Sequence, residues 1–327
     1  MINTKKPLTL ICVQPCIPYY AWQLEVMLTN FTELNIHQVY DIHILCAYNE
    51  KDTDWEKKKE PMHKVEEKFR GKALFFFYHD TRVFPISYIS GVRPNILKQH
   101  YRLHRDLIAD TVFYHDCDIV FTKFPDFLEQ YIGKKDWYVS DTRSYIGYNY
   151  IISKGEDVLD LMTNIVGIDK ELVKSKQNQS GGCQYIMNGV DESFFHKMED
   201  VCERMFKEVT ELNRQKKQAD PNYHEIQIWA SDMWAILWCA WLRGFNTNII
   251  DELDFVWSTD LMANWDKKYI YHNAGVVKSL SDTHFFKADF TDKYPFLHDG
   301  SNYDPNKASY KYFEIIKSIG NKSCVYE

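Results

Sequence analysis

The first third of the chain alternates short apolar runs with amphipathic segments. Apolar runs of strand type occupy residues 8–13, 39–48, 73–78 and 112–116. Helical patterns separate them, and one of these, at residues 90–107, has Pro94 where it suits a first helical turn. This alternation is typical of βαβ units, so we predict an α/β fold in which helices flank a mostly parallel sheet.

The rest of the chain predicts longer helices. The run WYVSD predicts a strand that ends at Asp141, and a second strand is expected at residues 148–153. Apolar positions at helical spacing predict a long amphipathic helix over residues 191–215. A further helix is expected between Ser231, as its N-cap, and Gly244, as its C-terminal stop. One side of that helix carries a stripe that we interpret as buried, formed by Trp234, Trp238 and Trp241.

Composition describes an ordinary globular protein, with 45% hydrophobic and 26% charged residues. The absence of repeats and flexible linkers favours a single domain over residues 1–290, followed by an extension at 291–327. The formal net charge of −7 disfavours a protein that wraps a polyanion. The apolar stretch at 8–13 is too short for a signal peptide or a membrane span, and the eight cysteines form no CxxC pair. We therefore expect a cytoplasmic protein with reduced thiols.

Two aspartates, Asp116 and Asp118, lie one residue apart at the end of the fourth apolar run, within VFYHDCDIVF. Because alternate residues of a strand point to the same side, their carboxylates can converge on one cation where the strand leaves the sheet. Carboxylates suit Mg²⁺ or Mn²⁺, which commonly bind together with substrate phosphates. The pattern therefore predicts a metal-held nucleoside diphosphate, whereas the alternative is a simple turn that ends a strand.

A histidine and a lysine far downstream could complete this site. The run YIYHNAGV predicts a strand that ends in His272, with Gly275 in the following turn. His272 could be a third metal ligand, or a loop histidine that only makes hydrogen bonds. Lys287 could neutralise a diphosphate as a point charge, although a solvated lysine is the simpler interpretation.

In this order, the motifs resemble those of the GT-A-fold glycosyltransferases, in the layout of the galactosyltransferase and glycogenin-like group. The matching parts are DCD at 116–118, the late strand-end histidine and the lysine-containing aromatic segment. The segments VSDTRSYIG, GGCQYIMNGVDESFF and ASDMWAILWCAW also resemble those of glycosyltransferases encoded by phages and some bacteria. HNAG departs from the compact histidine, glycine, lysine, proline, tryptophan series of that group. The resemblance implies a Rossmann-like GT-A domain with a nucleotide-sugar half at 1–140 and an acceptor half at 141–290.

The resemblance implies a hexosyltransferase that moves a sugar from a nucleotide diphosphate sugar, in particular a UDP-sugar, to an acceptor hydroxyl. Mn²⁺ or Mg²⁺, held by Asp116, Asp118 and His272, would bridge the two phosphates. A carbohydrate acceptor is favoured, with a protein or modified nucleic acid as alternatives. Contacts to the nucleotide, diphosphate or donor sugar are implied for Gln14, Arg93, Lys98, Asp116, Gly182, Gln184 and Lys287.

Two further aspartates are catalytic candidates by the same resemblance. Asp232 would approach the reacting sugar or the acceptor hydroxyl, and Asp141 would face the donor sugar. If Asp232 reaches that hydroxyl it could act as a base in an inverting displacement, whereas the galactosyltransferase-like layout favours retention. The structural alternatives are a carboxylate at a helix N-terminus for Asp232 and a turn for Asp141. For Arg93 and Lys98 the alternative is a helix with solvated charges.

Two other protein classes also fit the DCD motif. A haloacid-dehalogenase-type phosphatase would use Asp116 as nucleophile and Asp118 as general acid. That motif usually opens its domain, which it does not do at residue 116. A non-catalytic carbohydrate-binding protein would bind sugars without regard to metal or nucleotide.

Overall fold

The computed structural model describes residues 6–83 and 88–322. The chain falls into two compact units. The first unit comprises residues 1–77, 115–132 and 252–327, and the second unit comprises 78–114 and 133–251. The division of function at residues 140 and 290 stays a prediction.

Helices and strands alternate through both units, so the fold is α/β as predicted. The strands are β1 Leu8–Pro15, β2 Asp41–Tyr48, β3 Leu74–His79, β4 Thr111–Tyr114, β5 Ile119–Phe121, β6 Trp137–Asp141, β7 Gly181–Met187, β8 Thr247–Ile249, β9 Phe255–Trp257 and β10 Ile270–His272. The α-helices are α1 Pro18–Glu33, α2 Ile36–Val39, α3 Trp55–Lys68, α4 Val92–Leu103, α5 Arg143–Ile146, α6 Tyr148–Ile152, α7 Glu156–Val166, α8 Lys170–Ser175, α9 Glu192–Ala219, α10 Ser231–Leu242 and α11 Ala308–Lys322. No described helix is long and apolar enough to span a membrane.

The first unit contains the sheet order β3-β2-β1, with β1 and β2 parallel. Helix α1 follows β1 and begins at Pro18, whose fixed φ suits the first helical position. A separate sheet has the order β5-β10-β9, in which β10 is antiparallel to β5 and parallel to β9. In this small sheet Ile119 lies directly opposite His272, so the register brings the DCD motif to the strand-end histidine.

An aromatic core fills the first unit. Trp22 of α1 packs with Tyr271 of β10, Phe285 and Tyr312 of α11, and its indole Nε1 donates to the Phe290 carbonyl at 3.0 Å. Helix α11 belongs to the segment expected as an extension, and its apolar face is buried in this core. The last described residues therefore contribute to the stability of the unit that carries the DCD motif.

The second unit contains four strands in the order β4-β7-β6-β8. Strand β7 is antiparallel to both β4 and β6, whereas β6 and β8 are parallel, so the sheet is mixed. The long helix predicted at 191–215 is α9, and Asp191 caps it by accepting from the Phe194 amide at 3.1 Å. Helix α10 packs against α9, and the predicted tryptophan stripe is buried, which confirms that interpretation.

Three local predictions were wrong. Residues 148–153 form helix α6 instead of a strand, because a short apolar run carries too few periods to distinguish the two. Ser231 is the first residue of α10 and Ala230 takes the N-cap position, since the Ser231 hydroxyl donates backwards to the Ile228 carbonyl at 2.7 Å. The DCD motif does not lie in a strand, because β4 ends at Tyr114 and β5 begins at Ile119.

Candidate active site

Asp116 and Asp118 lie in the loop between β4 and β5, within the first unit. Two backbone contacts fix this loop. The His115 amide donates to the Ile11 carbonyl of β1 at 3.0 Å, and the Asn273 amide donates to the Asp118 carbonyl at 2.9 Å. The loop is therefore bonded both to β1 and to the residue that follows β10, in which His272 is the last strand residue.

Four of the residues predicted from the sequence meet at this point. His272 Nε2 lies 3.3 Å from Asp118 Oδ1 and 3.6 Å from Asp116 Oδ2. Lys287 Nζ donates to the other Asp118 oxygen, Oδ2. Asp118 and His272 are buried, while Asp116 and Lys287 are partly exposed. The site thus has a buried part, at Asp118 and His272, and a part that is accessible to solvent, at Asp116 and Lys287.

The charges in the site favour the ionised forms of Asp118 and Lys287. Burial on its own raises the pKa of the Asp118 carboxyl, but the charge of Lys287 and then that of His272 outweigh it and hold this pKa far below its usual value. Burial lowers the pKa of Lys287, but Asp118 reverses this effect and the pKa lies above its ordinary value. Both groups are therefore charged at neutral pH.

Phenols that the sequence did not indicate surround Asp118. Burial raises the pKa of Tyr19 to about 12, although the Lys287 charge lowers it and the Asp118 charge adds to the rise. Burial likewise raises the pKa of Tyr271, whose hydroxyl lies 2.7 Å from that of Ser258. These phenols stay neutral, so they add dipoles to the site and no charge.

The donor set fits a hard divalent cation. Two carboxylate oxygens and one imidazole nitrogen suit Mn²⁺ or Mg²⁺. An ion bonded at about 2.1 Å to each donor places neighbouring octahedral donors about 3 Å apart. The 3.3 Å and 3.6 Å separations from His272 Nε2 to the two carboxylates are close to that spacing, so the imidazole can share an ion with either aspartate.

Gln14 lies in β1, within the same unit. Its side-chain Nε2 donates to the Leu45 carbonyl at 3.1 Å and to Cys46 Sγ at 3.8 Å, which fastens it to β2. Its Oε1 is buried and accepts no hydrogen bond from the described residues. The role of Gln14 toward a nucleotide base stays a prediction.

In the second unit, Asp232 and Arg93 form a partly buried ion pair. Arg93 Nη1 lies 2.7 Å from Asp232 Oδ2. The Tyr88 hydroxyl lies 2.6 Å from Asp232 Oδ1, and burial and the Asp232 charge both raise the pKa of this phenol. Tyr88 was missed from the sequence because nothing links it to a residue 144 positions away. Asp232 is thus held at both oxygens.

The other predicted residues of this unit have local partners. Lys98 donates to Glu199 and so ties α4 to α9. Asp141 accepts from Arg143 Nη2 at 2.7 Å and Nε at 3.0 Å. These hydrogen bonds lower the pKa of Asp141 more than burial raises it. Their roles toward a donor sugar stay predictions.

Gly182 and Gln184 lie in β7. A Cβ at position 182 would lie 2.5 Å from the Tyr185 hydroxyl and 3.0 Å from Met233 Cε, so a larger residue there would require the Tyr185 side chain to shift. Gln184 is buried and its Oε1 accepts from the Ser140 hydroxyl. Its Nε2 has no partner among the described residues. Their predicted contact with a ligand remains untested.

No protein-family model matches this chain, and no curated protein matches it. Among solved structures, galactosyltransferase LgtC in complex with donor and acceptor sugar analogues has a TM-score of 0.44 at 10% identity, over 95% of each chain. An active-site mutant of LgtC has a TM-score of 0.44 at 12% identity, again over 95% of each chain. The chain is therefore similar to LgtC along nearly its whole length, at low identity.

Proposed function

We propose that this protein is a metal-dependent GT-A-fold glycosyltransferase that moves a sugar from a UDP-sugar to an acceptor hydroxyl. The observation that carries the proposal is the cluster of Asp116, Asp118, His272 and Lys287. In this cluster the Asp118 carboxylate contacts His272 and also Lys287, which lies 169 positions later in the sequence. Two carboxylates, an imidazole and an ammonium group form a suitable site for a metal diphosphate.

The residues of the cluster have distinct parts in this mechanism. Asp116, Asp118 and His272 would hold Mn²⁺ or Mg²⁺, which when bound offsets the charge that develops on the leaving diphosphate. Lys287 stays protonated because it pairs with Asp118, so it offers a permanent positive charge to a phosphate oxygen. Burial of Asp118 and His272 excludes water and strengthens these electrostatic interactions.

Asp232 has a positioning part in the mechanism. Both of its oxygens accept hydrogen bonds, from Arg93 at 2.7 Å and from Tyr88 at 2.6 Å. Each oxygen is therefore already engaged in a side-chain hydrogen bond, which competes with an acceptor hydroxyl for that oxygen. We therefore favour retention over an inverting displacement that relies on Asp232 as base.

The phosphatase alternative is disfavoured by the surroundings of Asp118. In that class Asp118 would act as general acid and would have to carry a proton before the reaction. Lys287 and His272 face its two oxygens and stabilise the ionised form. No disulfide joins the seven cysteines among the described residues, which supports a cytoplasmic enzyme; Cys324 lies outside the described residues.

The test is release of nucleoside diphosphate from a panel of nucleotide sugars with Mn²⁺. We expect slow hydrolysis of one donor by the wild type and a loss of roughly a hundredfold or more in Asp116→Asn. Asp52→Asn is the matched control, because Asp52 is also paired with a lysine, at 2.9 Å, but is exposed. Turnover of phosphate esters that depends on Asp116, or donor hydrolysis that survives Asp116→Asn, would overturn the proposal.

A further inference from the structure

We propose that a groove beside Trp229, in the second unit, is a subsite for a neutral saccharide that serves as acceptor. The inference rests on the proposed function and gives its acceptor a chemical class. The groove has a volume of about 700 Å³ and its apolar wall is formed by Phe206, Ile226, Ile228 and Trp229. Its size suits one or two sugar rings.

Trp229 is unusual among the tryptophans of this protein. All nine lie within the described residues, and Trp229 alone is exposed, with 55% of its surface accessible. Its ring stacks on that of Tyr145, with centroids 5.9 Å apart and an interplanar angle of 29°. A single exposed apolar side chain is common on proteins, but this ring continues into the other apolar side chains of the groove wall, and a continuous apolar wall is typical of a binding surface.

Hydrogen bonds hold the backbone beneath this ring. The Asn213 side chain bonds both the amide and the carbonyl of Ile226, at 3.3 Å and 3.1 Å. The Gln227 amide donates to the Tyr150 hydroxyl at 2.9 Å, and the Trp229 carbonyl oxygen lies 2.6 Å from the Tyr88 hydroxyl. The aromatic surface is therefore fixed in advance, which lowers the entropy cost of binding a ligand.

The composition of the groove favours a neutral sugar over an ion. A pyranose ring offers an apolar C–H face to an aromatic ring and a rim of hydroxyls to planar polar groups. Gln218 and Gln227 supply planar carboxamides at the groove, and Thr210 adds a hydroxyl. The charges that line it are of both signs, and Arg214 is already paired with Glu211 at 2.5 Å. No concentration of one charge is present to select an anion.

Tyr88 connects this groove to Asp232, the positioning carboxylate of the proposed function. Its hydroxyl lies 2.6 Å from the Trp229 carbonyl and 2.6 Å from Asp232 Oδ1. Trp229 precedes helix α10, and Asp232 is in the first turn of that helix. A saccharide on Trp229 thus binds close to Asp232, the residue that has a positioning part in the proposed function.

The test measures saccharide binding to the intact protein, without donor or metal. Saturation-transfer NMR detects the binding, and titration of the protein with each saccharide gives its affinity. The probes are lactose, cellobiose, maltotriose and N-acetyllactosamine. We expect the wild type to bind at least one of them, Trp229→Ala to bind it roughly tenfold more weakly, and Trp229→Phe to retain most of the affinity. Leu103→Ala, at another exposed apolar residue of the same unit, is the control and should bind as the wild type does.

Two results would overturn the subsite. One is equal binding by Trp229→Ala and the wild type, and the other is no binding of any probe by a wild type that hydrolyses a nucleotide sugar. In the second case the groove would instead be a candidate docking surface for another protein. Binding that depends on Trp229, in a protein that hydrolyses no donor, would uphold the subsite and overturn the transferase activity. The two proposals can therefore fail separately.

Discussion

Lys287 and His272 face different oxygens of the same carboxylate, that of Asp118. Lys287 Nζ donates to Oδ2, while His272 Nε2 lies 3.3 Å from Oδ1. The carboxylate is thus the point at which a fixed positive charge and a candidate metal ligand meet. A metal ion bound near Oδ1 would experience the positive charge of Lys287 at short range.

We therefore expect Lys287→Met to bind Mn²⁺ more tightly than the wild type. Loss of a nearby positive charge should raise the affinity by roughly tenfold in isothermal titration calorimetry. The same variant should hydrolyse the donor at least about tenfold more slowly, because the diphosphate loses a cationic partner. Lys278→Met is the control, since Lys278 pairs with Asp289 at 2.7 Å on the surface. Unchanged or weaker Mn²⁺ binding would contradict this prediction.

Acid should remove the contribution of Asp118 to stability. Its pKa is lower in the folded protein than in the unfolded chain, so the stabilisation is complete above the unfolded value of about 3.9 and declines as the pH falls below it. We expect the difference in unfolding free energy between the wild type and Asp118→Asn to shrink by about 1 kcal/mol from pH 5 to pH 3. Urea unfolding without metal measures this difference at each pH. A difference in unfolding free energy that stays constant or grows from pH 5 to pH 3 would refute the prediction.

The sequence alone predicted the part of the site that depends on short motifs. Asp116, Asp118 and His272 each stand beside an apolar strand, and strand pairing brought them together. Tyr19 and Tyr88 could not be predicted, because neither lies in a motif and their contacts depend on tertiary packing.

The fold shows the same division between local and distant information. Periodicity predicted α9 and the buried stripe of α10, since each spans several helical turns. It could not predict that β7 runs antiparallel to β4 and β6, because side-chain alternation is the same in both directions. The strand expected at 148–153 failed since its apolar run is too short.

Arg93 and Tyr88 should both stabilise the protein through Asp232. Arg93→Met leaves a buried carboxylate with one donor fewer, and we expect a loss of about 2–4 kcal/mol in urea unfolding. Tyr88→Phe also removes a hydrogen-bond donor from Asp232, and it should lower the free energy of unfolding by about 1–3 kcal/mol. In an Asp232→Asn background the Arg93→Met change should cost much less. An equal cost in both backgrounds would show that Arg93 acts through other contacts.

Gly182 should resist substitution because of Tyr185 and not because of backbone conformation. A Cβ there would lie 2.5 Å from the Tyr185 hydroxyl, so Gly182→Ala should destabilise the protein by about 1–3 kcal/mol. Tyr185→Phe removes the clashing oxygen, and the double variant should recover part of that loss. Gly244→Ala is the contrasting control, since its φ of +81° is strained while no atom lies within 4 Å, and Tyr185→Phe should not relieve its cost of about 1 kcal/mol. Urea unfolding of the three single variants and the two double variants tests this explanation, and equal losses in Gly182→Ala and in its double variant with Tyr185→Phe would exclude the clash as the cause.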